Sequence, residues 1–301
     1  MKRFMVKGQT LSIYVPENWE HFTLEGLFRD HWKAPKKLVH EWRMSKEVKV
    51  NDVLTPWSSK ISEGDRISIP LLSGENDPVI ATDLGITIIY EDDLLLIANK
   101  PAGLDTHPSH PGDRNSLING VAYHLQETGQ TCIIKHIHRL DKDTTGAVLF
   151  AKDRLIGSML DRMLEERDIK RTYFALVEGN LQKNAGKIDE KIGRDRHHAT
   201  RRRVSPTGQT AITHYQVLER YPKENRTLVS CTLESGRTHQ IRVHFSHLNH
   251  PLAGDTLYGG KKTFPRQALH ARKMEFTHPI SEEKIAIVAP FLDNPSIFET
   301  L

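Results

Sequence analysis

A stretch rich in Gly, Pro, Asn and Asp, SGENDPVIATD at residues 73 to 83, divides this 301-residue chain into a short part and a long one. The pattern of apolar residues changes across it. The chain is therefore expected to fold as a small domain over residues 1–74 and a large one over residues 83–301, with apolar material enough for both cores.

In the short part, Thr23 to Trp32 reads as a short helix with Leu24, Leu27 and Phe28 on one face. A second helix starts at Pro35, a residue favoured at the first helical position. Leu38, Val39 and Trp42 form its apolar side; Lys36, Lys37, Arg43 and Lys46 fall on or beside its exposed side. Two short strands follow, in EVKVNDV and GDRISIPL.

The long part is dominated by strands. ITIIY and LLLIANK are apolar β runs split by the acidic turn EDD, and NKPAGLDTHPSHPGD is a Pro/Gly/His loop. Ser116 to Leu125 reads as a helix capped by Asn115 or Ser116. GAVLFA is a buried strand. Asp153 then caps a helix reaching about Arg167, with Leu155, Ile156, Met159, Leu160, Met163 and Leu164 as its core stripe. KRTYFALVEG, QALHARKMEF and EKIAIVAPF are further strands. Helices are interspersed without regular βαβ alternation. The expected class is α+β, a mixed and largely antiparallel sheet rather than a doubly wound one, preceded by a small α+β domain.

Composition narrows the partners and the compartment. A net charge of +4 suits a nucleic-acid partner without requiring one. Two cysteines, Cys132 and Cys231, offer neither a disulfide framework nor a CxxC metal knuckle, which fits a reducing, cytoplasmic compartment. The basic N-terminus lacks the apolar core of a signal peptide, and no window approaches ~18 uninterrupted apolar residues, so nothing spans a membrane.

Four segments can carry chemistry. HRLDKDTTGAVLFAK, His138 to Lys152, sets Asp141 in a polar turn just before an apolar strand, with Arg139 two residues ahead. Read alone, Asp141 is either a structural turn acid or a nucleophile at the end of a sheet. In ESGRTHQIRVHFSHLNHP, Thr238 reads as a helix cap, Ile241, Phe245 and Leu248 as the buried face, and Asn249 with His250-Pro251 as the stop. Arg237 then sits at the helix entrance, where the dipole is positive. In IKRTYFALVEG, Tyr173 shares a strand face with Arg171 and Ala175. GRDRHHATRRRVSPTGQTA carries Arg194, Arg196, Arg201, Arg202 and Arg203 with His197 and His198 on a hairpin. Histidines are abundant, 17 in all. His239 and His244 are five apart, poor spacing on a helix, and His244 with His247 lacks a third ligand, so no metal site is expected.

Three motifs, NKPAGLxxHP with HRLD, KRTYFALVEG, and GRTHQIRVH with LHA and a later F.HP, occur in order across residues 90 to 279. Together they closely resemble the RluA family of RNA pseudouridine synthases, whose central pattern reads HRLDxxTSG; Thr145 stands where the family usually has Ser. The resemblance implies that Asp141 is the catalytic nucleophile and that Arg237 is the cation paired with it. A planar guanidinium fork suits that role, since burial alone would raise a carboxylate's pKa. It implies that Tyr173 stacks on the target uracil and removes a proton during rearrangement. Arg139 would fill the space left by an everted base or contact phosphate. The reaction breaks the bond from uracil nitrogen to ribose, turns the base and rejoins it through carbon. Asp141 would attack the sugar, much as a retaining glycosidase carboxylate does, or remove a proton from it. No cofactor is implied, and no GxGxxG or P-loop is present.

Residues 20 to 72 resemble the small RNA-binding domain first seen in ribosomal protein S-four. That implies a salt-sensitive grip on RNA backbone through lysines and arginines such as Lys36, Lys37 and Arg43, to which Arg196, Arg201, Arg202 and Arg203 of the hairpin would add. The implied partner is ribosomal or transfer RNA, bound by a monomer. Two rival classes are a non-catalytic RNA-binding or ribosome-assembly factor on the same fold, and a metal-dependent nucleobase enzyme using the histidines.

Overall fold

Burial with a period of two builds the first sheet. Strands β1 (Phe4–Lys7) and β2 (Thr10–Tyr14) pair antiparallel, and β2 turns Leu11 and Ile13 inward. After two helices the chain adds β3 (Lys49–Val50), β4 (Val53–Leu54) and β5 (Arg66–Pro70), whose Ile67 and Ile69 are fully buried. The order is β1-β2-β5-β3-β4, antiparallel throughout. The computed structural model describes residues 3–71, 79–130 and 132–298. The first part of the expected linker, 73–78, lies outside the described residues.

The helix expected from Thr23 to Trp32 is less regular than the sequence implies. Thr23 caps α1 (Leu24–Gly26), its hydroxyl accepting from the Gly26 N–H at 3.0 Å. The chain then widens into a single π turn over Leu27–His31, closed by the Trp32 N–H on the Leu27 carbonyl at 2.9 Å. That turn seats Phe28 and Trp32 against Trp19 and Trp42, all four buried. Helix α2 (Lys36–Ser45) starts after Pro35, buries Leu38, Val39 and Trp42, and stops at Lys46 in the left-handed region.

The second sheet has a central pair buried along its whole length, β7 (Leu95–Lys100) and β9 (Thr145–Ala151), with β6 (Thr87–Glu91) outside β7. Alternate residues of this pair face opposite sides. Leu96, Ala98, Val148 and Phe150 pack with α3 (Leu117–Glu127). Leu95, Ile97, Ala147 and Leu149 share a cluster with α4 (Arg154–Glu165) and the first sheet. Both helix starts are local and follow the sequence: Ser116 and Asn119 form a capping box, and the Asp153 carboxylate accepts the Leu155 N–H at 2.7 Å. Strand β8 (Lys135–His136) pairs with β9.

The far half of the sheet consists of β10 (Lys170–Glu178), β11 (Ala185–Asp189), β14 (Ile212–Tyr221) and β15 (Arg226–Leu233) in the order β11-β14-β15-β10, and β10 pairs onward to β16 (Leu269–Thr277). The hairpin of β12 (Ile192–Arg194) and β13 (Arg202–Val204) lies apart, and β17 (Lys284–Val288) pairs with β16. The halves meet where β16 runs parallel to β9 at His270–Thr145 and Ala271–Gly146, the only parallel pairing among the described strands. The approach is too close for a side chain. Gly146 has φ +114, and a Cβ there would lie 2.4 Å from the Ala271 carbonyl oxygen.

Helix α5 (Gln240–His247) departs from expectation in two places. Its cap is His239 rather than Thr238, and Leu248, expected on the buried face with Ile241 and Phe245, is 36% exposed. The chain has already left the helix at Leu248 and turns left-handed at Asn249, φ +62, so the side chain no longer follows the buried stripe.

The two sheets share a core. One hydrophobic cluster runs from Leu11, Trp32 and Ile67 to Leu95, Leu155 and Ile285. At its edge Glu282 receives hydrogen bonds from Arg3 and from the indole of Trp19, both at 2.9 Å. Arg162 donates to the Trp32 carbonyl, and Arg154 meets Glu41 at 3.0 Å. No helix among the described residues is long and apolar enough to cross a membrane.

Candidate active site

The turn that carries Asp141 lies immediately before β9, at the seam between the two half-sheets, and opens onto a cleft of about 1540 Å³. Tight local bonds hold it. The Thr144 N–H closes the turn on the Asp141 carbonyl at 3.0 Å. Thr106 bonds both the N–H and the C=O of Leu140, at 3.1 and 3.2 Å. Beneath the turn, the fully buried Lys100 ammonium donates to the carbonyls of Pro101, Leu104 and Lys142 at 2.9, 2.6 and 2.7 Å. Burial pushes the Lys100 pKa down to about 8. The leading histidine of the motif is structural. His138 is buried, its Nε2 accepts the Leu149 N–H at 3.3 Å, and burial drives its pKa well below the ordinary histidine value.

The cation on Asp141 is Arg242, not Arg237. Arg242 Nη1 donates to Asp141 Oδ2 at 3.0 Å, while its Nε and Nη2 fork onto Asp255 at 2.7 and 2.9 Å. One guanidinium thus serves two carboxylates. The expected partner, Arg237, lines the same cleft but stands in the exposed loop between β15 and α5, with its Nε on the Thr210 carbonyl at 3.2 Å. Both arginines belong to GRTHQIR. The distinguishing signal is position: Arg242 falls inside the buried turn of α5, between Ile241 and Val243, so its charge must be met by acids brought in from elsewhere. Asp255, in a Gly-flanked turn, gave no local hint of that role.

Two contacts fall on the same Asp141 oxygen: Arg242 at 3.0 Å and, more distantly, His239 Nε2 at 3.9 Å. Tyr173, on β10, is buried and lines the cleft, as do Arg171 on the same strand face and the exposed Arg139. His107 and His136 stack at its edge, centroids 4.9 Å apart.

The expected RNA-contacting residues divide into free and committed groups. Lys36, Arg196 and Arg203 are exposed. Lys37 is exposed but 4.0 Å from Glu41. Arg43 is held by Glu25 at 2.9 Å and lies 4.7 Å over the Trp57 ring, so it secures the small domain's own fold. Arg201 clamps the hairpin through Asp195 at 2.7 Å; Arg202 is held only by its backbone, whose N–H donates to the Tyr258 hydroxyl at 2.9 Å, while its side-chain Nε is buried with no hydrogen-bond partner among the described residues. Two nearby histidines also have partners: His244 on α5 bonds Thr213 and the Glu190 carbonyl, and His250, beyond the helix end, bonds the Glu178 carbonyl. Among the described residues no group of three or more His, Cys, Asp or Glu is placed to hold a metal ion.

This arrangement has close counterparts. The RNA pseudouridylate synthase family model matches residues 94–247, the span that holds Asp141, Tyr173 and Arg242. The chain belongs to the RluA-type RNA pseudouridine synthases. A second model, the RluD ribosomal pseudouridine synthase N-terminal domain, matches residues 11–67. Among curated relatives, an RNA pseudouridine synthase of Bacillus subtilis, YhcT, is 46% identical over 286 residues, covering 95% of each chain. The ribosomal large subunit pseudouridine synthase D of Nitrosomonas europaea is 38% identical, covering 95% of this chain and 86% of that one. Among solved structures, human RNA pseudouridylate synthase domain containing 1 superposes with a TM-score of 0.57 at 26% identity, covering 73% of this chain and 88% of that one. This synthase therefore converts uridine to pseudouridine in RNA.

Proposed function

We propose that Asp141 is the reacting carboxylate and that the substrate is a structured segment of ribosomal RNA. The observation that carries the reading is the Asp141–Arg242 contact at the cleft: an acid held on one oxygen by a buried cation, on the wall of a space large enough for an everted nucleotide. Oδ1 attacks the ribose carbon as its bond to uracil N1 breaks. The detached base turns within the cleft and bonds to the same carbon through C5, releasing Asp141. The C5 proton must then leave and uracil N1 must gain one; the Tyr173 hydroxyl on the cleft wall relays it, accepting the C5 proton as its own passes through solvent to N1. Arg139, exposed at the rim, fills the stack that the base vacates. Arg237, freed from pairing with the carboxylate, is a phosphate ligand. Several relatives are named for the large ribosomal subunit, which favours ribosomal over transfer RNA.

Residues 1–74 and the β12–β13 hairpin grip RNA backbone through Lys36, Lys37, Arg196 and Arg203, and the working form is a monomer in the cytoplasm. The shared core makes the small domain a fixed rather than a swinging grip. The test is release of tritium from uracil C5 in ribosomal RNA. Asp141→Asn should bind RNA as the parent does and lose at least ~10³-fold in turnover. A variant that releases tritium at near the parent rate refutes the assignment. Activity removed by chelation would instead favour a metal-dependent enzyme.

A further inference from the structure

His239 has backbone φ +58, a left-handed conformation disfavoured for a residue with a side chain. That conformation places its imidazole between Asp141 and Tyr258. His239 Nδ1 lies 2.8 Å from the Tyr258 hydroxyl, and Nε2 faces Asp141 Oδ2 at 3.9 Å. Burial lowers the His239 pKa, outweighing the pull of Asp141, and pushes the Tyr258 phenol up to about 12. Both groups are therefore neutral at neutral pH, with the phenol holding its proton.

The direction of the hydrogen bonds follows. The Tyr258 oxygen accepts the Arg202 N–H at 2.9 Å, which leaves its own proton available to His239 Nδ1. With that proton given to Nδ1, the imidazole carries its hydrogen on Nε2, the nitrogen that faces Asp141. The Tyr258 ring also lies 5.0 Å beneath the Arg242 guanidinium. One buried tyrosine thus touches both groups beside the reacting carboxylate, and its hydroxyl also accepts from the backbone of basic strand β13.

We propose that Tyr258 is a positioning residue. It joins the RNA-gripping hairpin to Asp141 through His239 and Arg242, so that RNA seated on β12–β13 fixes the carboxylate in its reacting geometry. This rests on Asp141 being the reacting group. The tyrosine is not itself placed against substrate; it acts through its neighbours.

Tyr258→Phe keeps the ring under Arg242 and removes both hydroxyl bonds. Measured by tritium release at saturating ribosomal RNA, kcat should fall about 10-fold or more, while RNA affinity stays within about twofold and the melting temperature is close to that of the parent. His239→Asn provides a second route, because Asn tolerates the left-handed backbone. It should give a similar loss, and the double variant should lose no more than either single one, as expected for residues acting in one chain. Turnover within twofold of the parent in either single variant, or losses that multiply in the double variant, would overturn the proposal. If Tyr258→Phe does not fold, His239→Asn alone decides. Full turnover in Asp141→Asn would instead overturn the parent reading. An inactive Asp141→Asn beside a fully active Tyr258→Phe would sink this inference only.

Discussion

Arg242 and Glu282 solve the same problem with opposite charge. At the cleft, one cation is shared by two acids, Asp141 and Asp255. At the junction with the small domain, one acid collects three donors, Arg3, Asn18 and Trp19. Their surroundings differ. The Arg242 and Asp255 side chains are 7% and 1% exposed, whereas Glu282 is 32% exposed and faces screening water. Charges at the cleft are therefore strongly coupled, and removing one leaves another buried without a partner. Charges at the junction are replaceable, because the shared apolar cluster beneath them supplies most of the adhesion.

The largest effect should come from the cleft. Arg242→Met leaves Asp141 and Asp255 facing each other with no cation and should cost ~3–5 kcal/mol of stability in urea unfolding. A loss below ~1 kcal/mol would place the two regions on a par. Next is Lys100, whose pKa of about 8 lies below the ~10.4 of an unfolded lysine. Between those values the unfolded chain binds more protons, so this group adds stability as pH rises, up to ~3 kcal/mol. Unfolding free energies measured from pH 7.5 to 10 should rise more steeply in the parent than in Lys100→Met. Equal slopes would contradict the buried ammonium.

The smallest effect belongs to the junction. Although burial pushes the Glu282 carboxyl up, hydrogen bonds from Trp19, Arg3 and Asn18 outweigh it and hold its pKa below the ordinary glutamate range. A depressed folded-state value means that the contribution is present at neutral pH and is lost as pH falls through that value. Glu282→Gln should lower stability by no more than ~1 kcal/mol at pH 7, and the gap should narrow in acid. A gap that widens in acid would reverse the sign argued here.

Features set by near neighbours were legible in the sequence. Pro35, Ser116 and Asp153 mark helix starts, and the stripes of α2 and α4 point inward as their spacing requires. The motif residues Asp141 and Tyr173 do reach one cleft. Features set by distant contacts were not. Arg242 and Asp141 are 101 positions apart, and choosing between two arginines in one motif needs the turn of α5 and the place of Asp255. Lys100 ends an apolar strand run, and nothing in that run shows the three loop carbonyls that hold its ammonium. Arg43 reads as an RNA contact until Glu25 and Trp57 enclose it. The parallel seam at Gly146 carries no periodic signal, since it spans two residue pairs.

The pairing at Asp141 is tested most directly by exchanging each motif arginine for lysine, which keeps the charge and removes the fork. At saturating ribosomal RNA, tritium release by Arg242→Lys should fall at least ~30-fold, because a single ammonium nitrogen cannot reproduce the two-point fork on Asp255 while also reaching Asp141. Arg237→Lys should keep turnover within about threefold and shift only RNA affinity. The reverse outcome, a dead Arg237→Lys beside an active Arg242→Lys, would contradict the account.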